Sequence, residues 1–176
     1  TLVDSATTDG LGAYSFTEVE PGPYLIAEVG QNGYVQTFPA APGTHAVTAT
    51  SGQDVTSQDF GNFGVSRILT VNSTGDGGDV NWGDGVAEDA DGNTTLRAAI
   101  EEANAVANSA DYPDAIFFAL PGEGPYTIQP ATALPNLKDP VILDATTQAG
   151  YSGAPVVELD GSNAGELVNG LKVTGG

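Results

Sequence analysis

One stretch of this chain repeats its apolar residues at a helical period, and it stands alone. Leu96, Ala99, Ile100, Ala103 and Val106 fall on a single stripe, the pattern of a helix that buries one face. The spacing predicts a helix over about 95–107, with Thr94 as N-cap and Asn108 as the stop. The rest of the chain breaks into short alternating or apolar runs separated by Gly, Pro, Asn and Asp. A chain with that grammar is all-β with one helix.

The runs before and after the helix differ. In the first half, Ala13–Thr17 alternates with Tyr14 and Phe16 on one face, and Tyr24–Val29 is apolar on both faces. Thr44–Thr50 and Asp54–Phe60 are β-branched and alternating. Turn pairs such as Asp9-Gly10, Asn32-Gly33, Pro42-Gly43 and Ser51-Gly52 separate them, which predicts a small β-sandwich. The second half opens with a strand at Arg67–Asn72, then an acidic loop over 73–93, then the helix. Short strands are expected at Ala115–Leu120, Tyr126–Gln129, Val141–Asp144, Val156–Asp160 and Gly170–Thr174. Ile128, Leu143, Leu159 and Val173 are spaced by 15, 16 and 14 residues, so these strands are expected to stack as a solenoid whose open first coil the helix covers. The boundary falls within Gly61–Ser66, dividing the chain into 1–64 and 65–176.

Charge narrows the partners. Net charge is −19, with 4 Lys+Arg against 23 Asp+Glu, and residues 1–66 carry no Lys or Arg. That field repels nucleic acid and anionic membrane, and no apolar run is long enough for a membrane helix. With no Cys there is no disulfide framework, so a secreted protein of this kind needs another staple: calcium, a covalent crosslink or assembly with neighbours. With no Met, the chain reads as a mature product or an excised segment.

Both halves resemble known modules. Thr8–Phe16 (TDGLGAYSF), Pro21–Glu28 (PGPYLIAE), Gly33–Thr37 (GYVQT) and the closing Asp59–Asn62 (DFGN) resemble the later two thirds of a prealbumin-like, Cna-B-type repeat, as in the B repeats of serine-aspartate adhesins. Thr70–Asp76 (TVNSTGD), Thr95–Ala105 (TLRAAIEEANA), Leu134–Tyr151 and Pro155–Gly176 resemble the N-terminal region of secreted right-handed parallel β-helix proteins of the CSLREA type. The resemblance implies a partial prealbumin-like β-sandwich, its first strands preceding Thr1, followed by the capped start of a right-handed parallel β-helix that is unfinished at Gly176. Relatives often carry Cys before T-L-R, where this chain has Thr94, so their disulfide has no counterpart.

Three sets of residues could carry chemistry. The resemblance places Glu28 at the acid position of an intramolecular isopeptide bond and Asn62 at its acceptor, but residues 1–66 hold no Lys to complete it. The plainer reading leaves Glu28 at the rim or bonded to backbone. Asp76, Asp79, Asp84, Asp89, Asp91 and Asn93, with six Gly in the same loop, offer the hard oxygens of a calcium site. The loop is not an EF-hand, because Thr94 and Ile100 occupy positions that need Gly and Glu, and its plainer reading is a solvated acidic loop. Asp144, Glu158 and Asp160 could line a polysaccharide-cleaving face, or could cap turns. His45 is expected on a strand surface and Trp82 as the anchor of the acidic loop. Asn72-Ser73-Thr74 and Asn93-Thr94-Thr95 are glycosylation sequons.

The expected function is therefore non-enzymatic: an extracellular or cell-surface structural protein (stalk, matrix, adhesin or fibre subunit), calcium-stabilised and assembled through β edges with copies of itself or the remainder of a larger surface protein. A module binding glycans or host surfaces is the alternative, and a polysaccharide-active enzyme the second alternative.

Overall fold

The computed structural model describes residues 1–40 and 42–175; Gly176, the last residue of the expected β-helix segment, lies outside them. The fold is mainly β, with one short α-helix among the described residues. It divides into two compact units, Thr1–Gly30 with Gln36–Asn62, and Gln31–Val35 with Phe63–Gly176.

In the first unit, β1 (Gly22–Ala27) pairs antiparallel with β3 (Thr44–Ala49), setting Tyr24 opposite Val47 and Ile26 opposite His45. The pleat turns Tyr24 and Ile26 to a half-buried face and leaves Leu25 72% exposed. A second two-stranded sheet joins β2 (Tyr34–Phe38) and β4 (Gly61–Gly64), strands that the division between the units runs through and that belong wholly to neither. The strands expected at Ala13–Thr17 and Asp54–Phe60 do not form. Their aromatic packing does: Tyr14 lies 5.8 Å from Phe16 and 6.2 Å from Phe60, ring centroid to centroid, and its hydroxyl donates to the Gln58 carbonyl. Alternation orients side chains, but a strand also needs a neighbour to receive its ladder. Among the described residues of this unit, no side chain is fully buried.

The second unit is built from parallel pairs. β5 (Ile68–Val71), β6 (Asp114–Phe118) and β8 (Val141–Asp144) form one sheet in that order, and β7 (Tyr126–Ile128) pairs parallel with β9 (Val157–Leu159). Where a strand was expected at Gly170–Thr174, Val173 makes a single parallel bridge to Leu137. Three pairings thus recur in chain order: Ile116 with Leu143, Ile128 with Leu159, and Leu137 with Val173. The paired residues are 27, 31 and 36 positions apart. Successive markers, spaced by about half that distance, therefore do not stack: Ile128 stacks on the next but one, Leu159, and the shorter spacing is the step from one sheet to the next.

The helix α1 (Leu96–Ala105) packs on β5 and β6. Leu96, Ile100, Val71, Ile116, Phe118 and Ile128 form the centre of one core, each at most 4% exposed. Val141, Leu143, Val157 and Leu159, on β8 and β9, extend that core but are only partly buried.

Candidate functional site

The acidic loop and α1 fold as one object. Thr95, not Thr94, is the N-cap: its Oγ1 accepts the Ala98 N–H at 3.0 Å and donates to the Gly77 carbonyl at 2.6 Å. The same hydroxyl that starts the helix therefore holds the loop. Nearly two turns on, Glu101 Oε2 accepts the Asp79 N–H at 2.7 Å. Glu102, fully buried, accepts the N–H groups of Gly83 and Gly85, the latter at 2.7 Å. The helix ends at Ala105, because Val106 turns to an extended backbone rather than the chain running on to Asn108.

Glu102 also faces Arg67, whose Nη1 lies 3.4 Å from its Oε1. Arg67 makes its strongest contacts with Asp114, another fully buried acid, at 3.0 Å and 2.6 Å. The hydrogen bonds to Asp114 raise the already high pKa of the Arg67 guanidinium, against the opposing effect of burial. This half-buried arginine between two buried acids escaped the sequence reading, since Arg67, Glu102 and Asp114 lie far apart in the chain. The alternation of Arg67–Asn72 gives no sign of it.

The six residues expected to bind calcium do not converge. Both Asp76 oxygens receive Arg97, at 2.9 Å and 3.0 Å, and Oδ2 also accepts the Ala131 N–H. Asp84 Oδ1 accepts the Val86 N–H, and Asp89 Oδ1 accepts the N–H groups of Asp91 and Asn93. These are short turns that the carboxylates make with their own loop. Among the described residues, no three acidic, histidine or cysteine side chains gather at one point. Asp79 stands apart: it is 8% exposed, and its Oδ2 is buried with no hydrogen-bond partner.

The polar residues of α1, with Asn108 just beyond it, have their own task. Arg97 donates to the carbonyls of Thr132 and Ala133, at 3.0 Å and 2.9 Å. Asn104 donates to the Asn136 carbonyl at 2.8 Å and accepts the Lys138 N–H at 2.9 Å, and Asn108 donates to the Pro140 carbonyl. These side chains supply, to residues 132–140, partners that an adjacent strand would otherwise provide. Similar substitution occurs past β8. The buried Gln148 amide accepts the Leu120 N–H at 2.7 Å and donates to its carbonyl at 3.0 Å, while Thr147 Oγ1 accepts the Phe118 N–H.

The remaining candidates divide. Asn62 Nδ2 donates to Glu28 Oε1 at 2.6 Å, and Glu28 Oε2 is buried without a partner; the two residues singled out for a crosslink are in contact, and Glu28 is bonded to a side chain rather than to backbone. Asp144 and Asp160 cap 3-10 turns, accepting from Thr146 and Ser162. The Ser162 N–H and hydroxyl, with Gln129, hold Asp160 below the usual carboxylate pKa. Glu158 points outward from β9. His45 is half-buried, with Nε2 2.7 Å from the Asp59 carbonyl and its ring 5.0 Å from Phe60. Trp82 is 67% exposed and tied only by its indole N–H to the Asp79 carbonyl, so it does not anchor the loop in the core. Asn72 is exposed and its side chain accepts the Thr94 N–H, whereas Thr95 of the second sequon is buried.

No helix of the described residues is long and apolar enough to cross a membrane. Comparison with family models, with curated proteins and with solved structures finds no significant match to the chain.

Proposed function

We propose that this chain is a structural component of an extracellular or cell-surface assembly, formed from a partial prealbumin-like β-sandwich and the capped start of a right-handed parallel β-helix. The recurrence of three parallel pairings in chain order supports the β-helix, and the strong preference of parallel crossovers supports its hand. Assembly through β edges rests on one observation, the contrast between the two ends of the second unit. At one end, α1 covers the core and its side chains partner the backbone of residues 132–140. At the other, β8 and β9 are the last strands of their sheets, and Val141, Leu143, Val157 and Leu159 are only partly covered. An uncovered parallel edge over half-buried apolar residues is a template for another β segment.

Light scattering across a concentration series tests this. The expected result is a mass that rises with concentration, and that Val173→Lys, on the last rung of the third pairing and 69% exposed, returns toward the monomer without lowering Tm. A constant monomer mass up to millimolar protein would overturn it.

The contact between Glu28 and Asn62 favours a second, compatible reading, a covalent link to a lysine of a preceding segment or of another chain. The amine attacks the Asn62 amide carbon, the new C–N bond replaces the bond to the amide nitrogen, ammonia leaves, and Glu28 relays the proton. Intact-mass measurement of the native material should then give the loss of one ammonia per link, absent in Glu28→Gln.

A further inference from the structure

The acidic loop leaves one buried charge unanswered. Asp79 is 8% exposed; its Oδ1 accepts the Asn81 N–H at 3.2 Å, and its Oδ2 is buried with no hydrogen-bond partner. A desolvated carboxylate oxygen without a partner is costly. The Glu101 carboxylate lies against the backbone of the same residue, its Oε2 accepting the Asp79 N–H at 2.7 Å. Two glycines permit this crowding: a Cβ on Gly78 would stand 2.8 Å from Glu101 Oε2, and one on Gly77 2.7 Å from Asp89 Oδ2. Among the described residues, the ion pairs go elsewhere, Arg67 to Glu102 and Asp114, and Arg97 to Asp76.

We propose that Asp79 and Glu101 bind a calcium ion. The donors are all hard oxygens on a glycine-rich segment of irregular backbone. That combination suits calcium, which accepts variable geometry, better than magnesium, which demands a regular octahedron, or softer metals, which favour nitrogen and sulfur. Two carboxylates supply the charge, and main-chain carbonyls and water complete the shell. The site differs from the one the loop's composition suggests. Glu101 comes from the helix, and Asp76, Asp84 and Asp91 take no part.

Trp82 provides a reporter, being the sole Trp, with its indole N–H 3.0 Å from the Asp79 carbonyl. Terbium(III), which replaces calcium, should emit in the full-length chain when Trp82 is excited. Calcium should displace it with half-saturation at about 10⁻⁴ to 10⁻³ M. Asp79→Asn and Glu101→Gln should each weaken binding at least about tenfold, while Asp84→Asn, on the same loop, leaves it unchanged. Melting separates lost binding from lost folding. In chelator, Asp79→Asn should be at least as stable as the parent, because it removes an unpartnered buried charge; added calcium should raise the Tm of the parent and not of the variant. An unchanged terbium response in Asp79→Asn, an equal loss in Asp84→Asn, or no calcium-displaceable emission in the parent overturns the proposal.

Discussion

Glu102 is the residue on which the loop and the helix most depend. It is fully buried, accepts two loop N–H groups, and faces Arg67, so its charge is desolvated but answered on every side. Glu102→Gln removes the charge and turns an amide NH₂ toward donors, leaving Arg67 with Asp114 alone. The expected loss is about 3 kcal/mol, measured by urea unfolding of parent and variant; a loss below about 1 kcal/mol would mean the loop is held by other contacts. In the sequence, Glu101 and Glu102 look like the solvated face of an amphipathic helix. Helical spacing separates apolar from polar residues, but a polar residue beside the stripe is drawn inward when a neighbouring segment offers donors, and that segment is not part of the helix.

At the level of elements, the cap of α1 is a sharp test. Thr94 and Thr95 are adjacent and chemically identical, and propensity alone does not choose between them. The structure chooses Thr95, whose hydroxyl both caps Ala98 and holds Gly77. Thr95→Ala should cost about 1 to 2 kcal/mol, from the lost cap and the orphaned carbonyl. Thr94→Ala should stay within about 0.5 kcal/mol. Thermal melts of the two variants side by side decide it, and equal losses would refute the assignment. Strands show the same division between what is local and what is not. Val141–Asp144 forms as its composition predicts, and Ile68–Val71 lies inside the expected Arg67–Asn72. Ala13–Thr17 and Asp54–Phe60 alternate as well but find no ladder, because hydrogen-bonding partners are supplied by other segments.

Across the whole molecule, burial is uneven, and dynamics should follow it. In the second unit, amides of β6 and β7 lie in the covered part of the core, with Ile116 at 0% and Ile128 at 1% exposure, whereas the apolar residues of β8 and β9 are half-buried. The first unit holds no fully buried side chain among its described residues. Hydrogen exchange should therefore be slowest in β6 and β7, faster in β8 and β9, and fastest in β1 and β3. Protection of β1 equal to that of β6 would show that burial does not set local stability here. The sequence by itself determined the mainly-β class, the single helix, its apolar stripe, and the lack of disulfide or membrane-helix solutions, because composition and short-range periodicity are properties of neighbouring residues. Only the tertiary structure decided which strands stack, which threonine caps the helix, that Arg67 lies between Glu102 and Asp114, and that the loop's carboxylates are turned to separate tasks. Those outcomes depend on which donors and acceptors meet across gaps of 17 to 47 residues, and nothing in the local pattern encodes a distant partner.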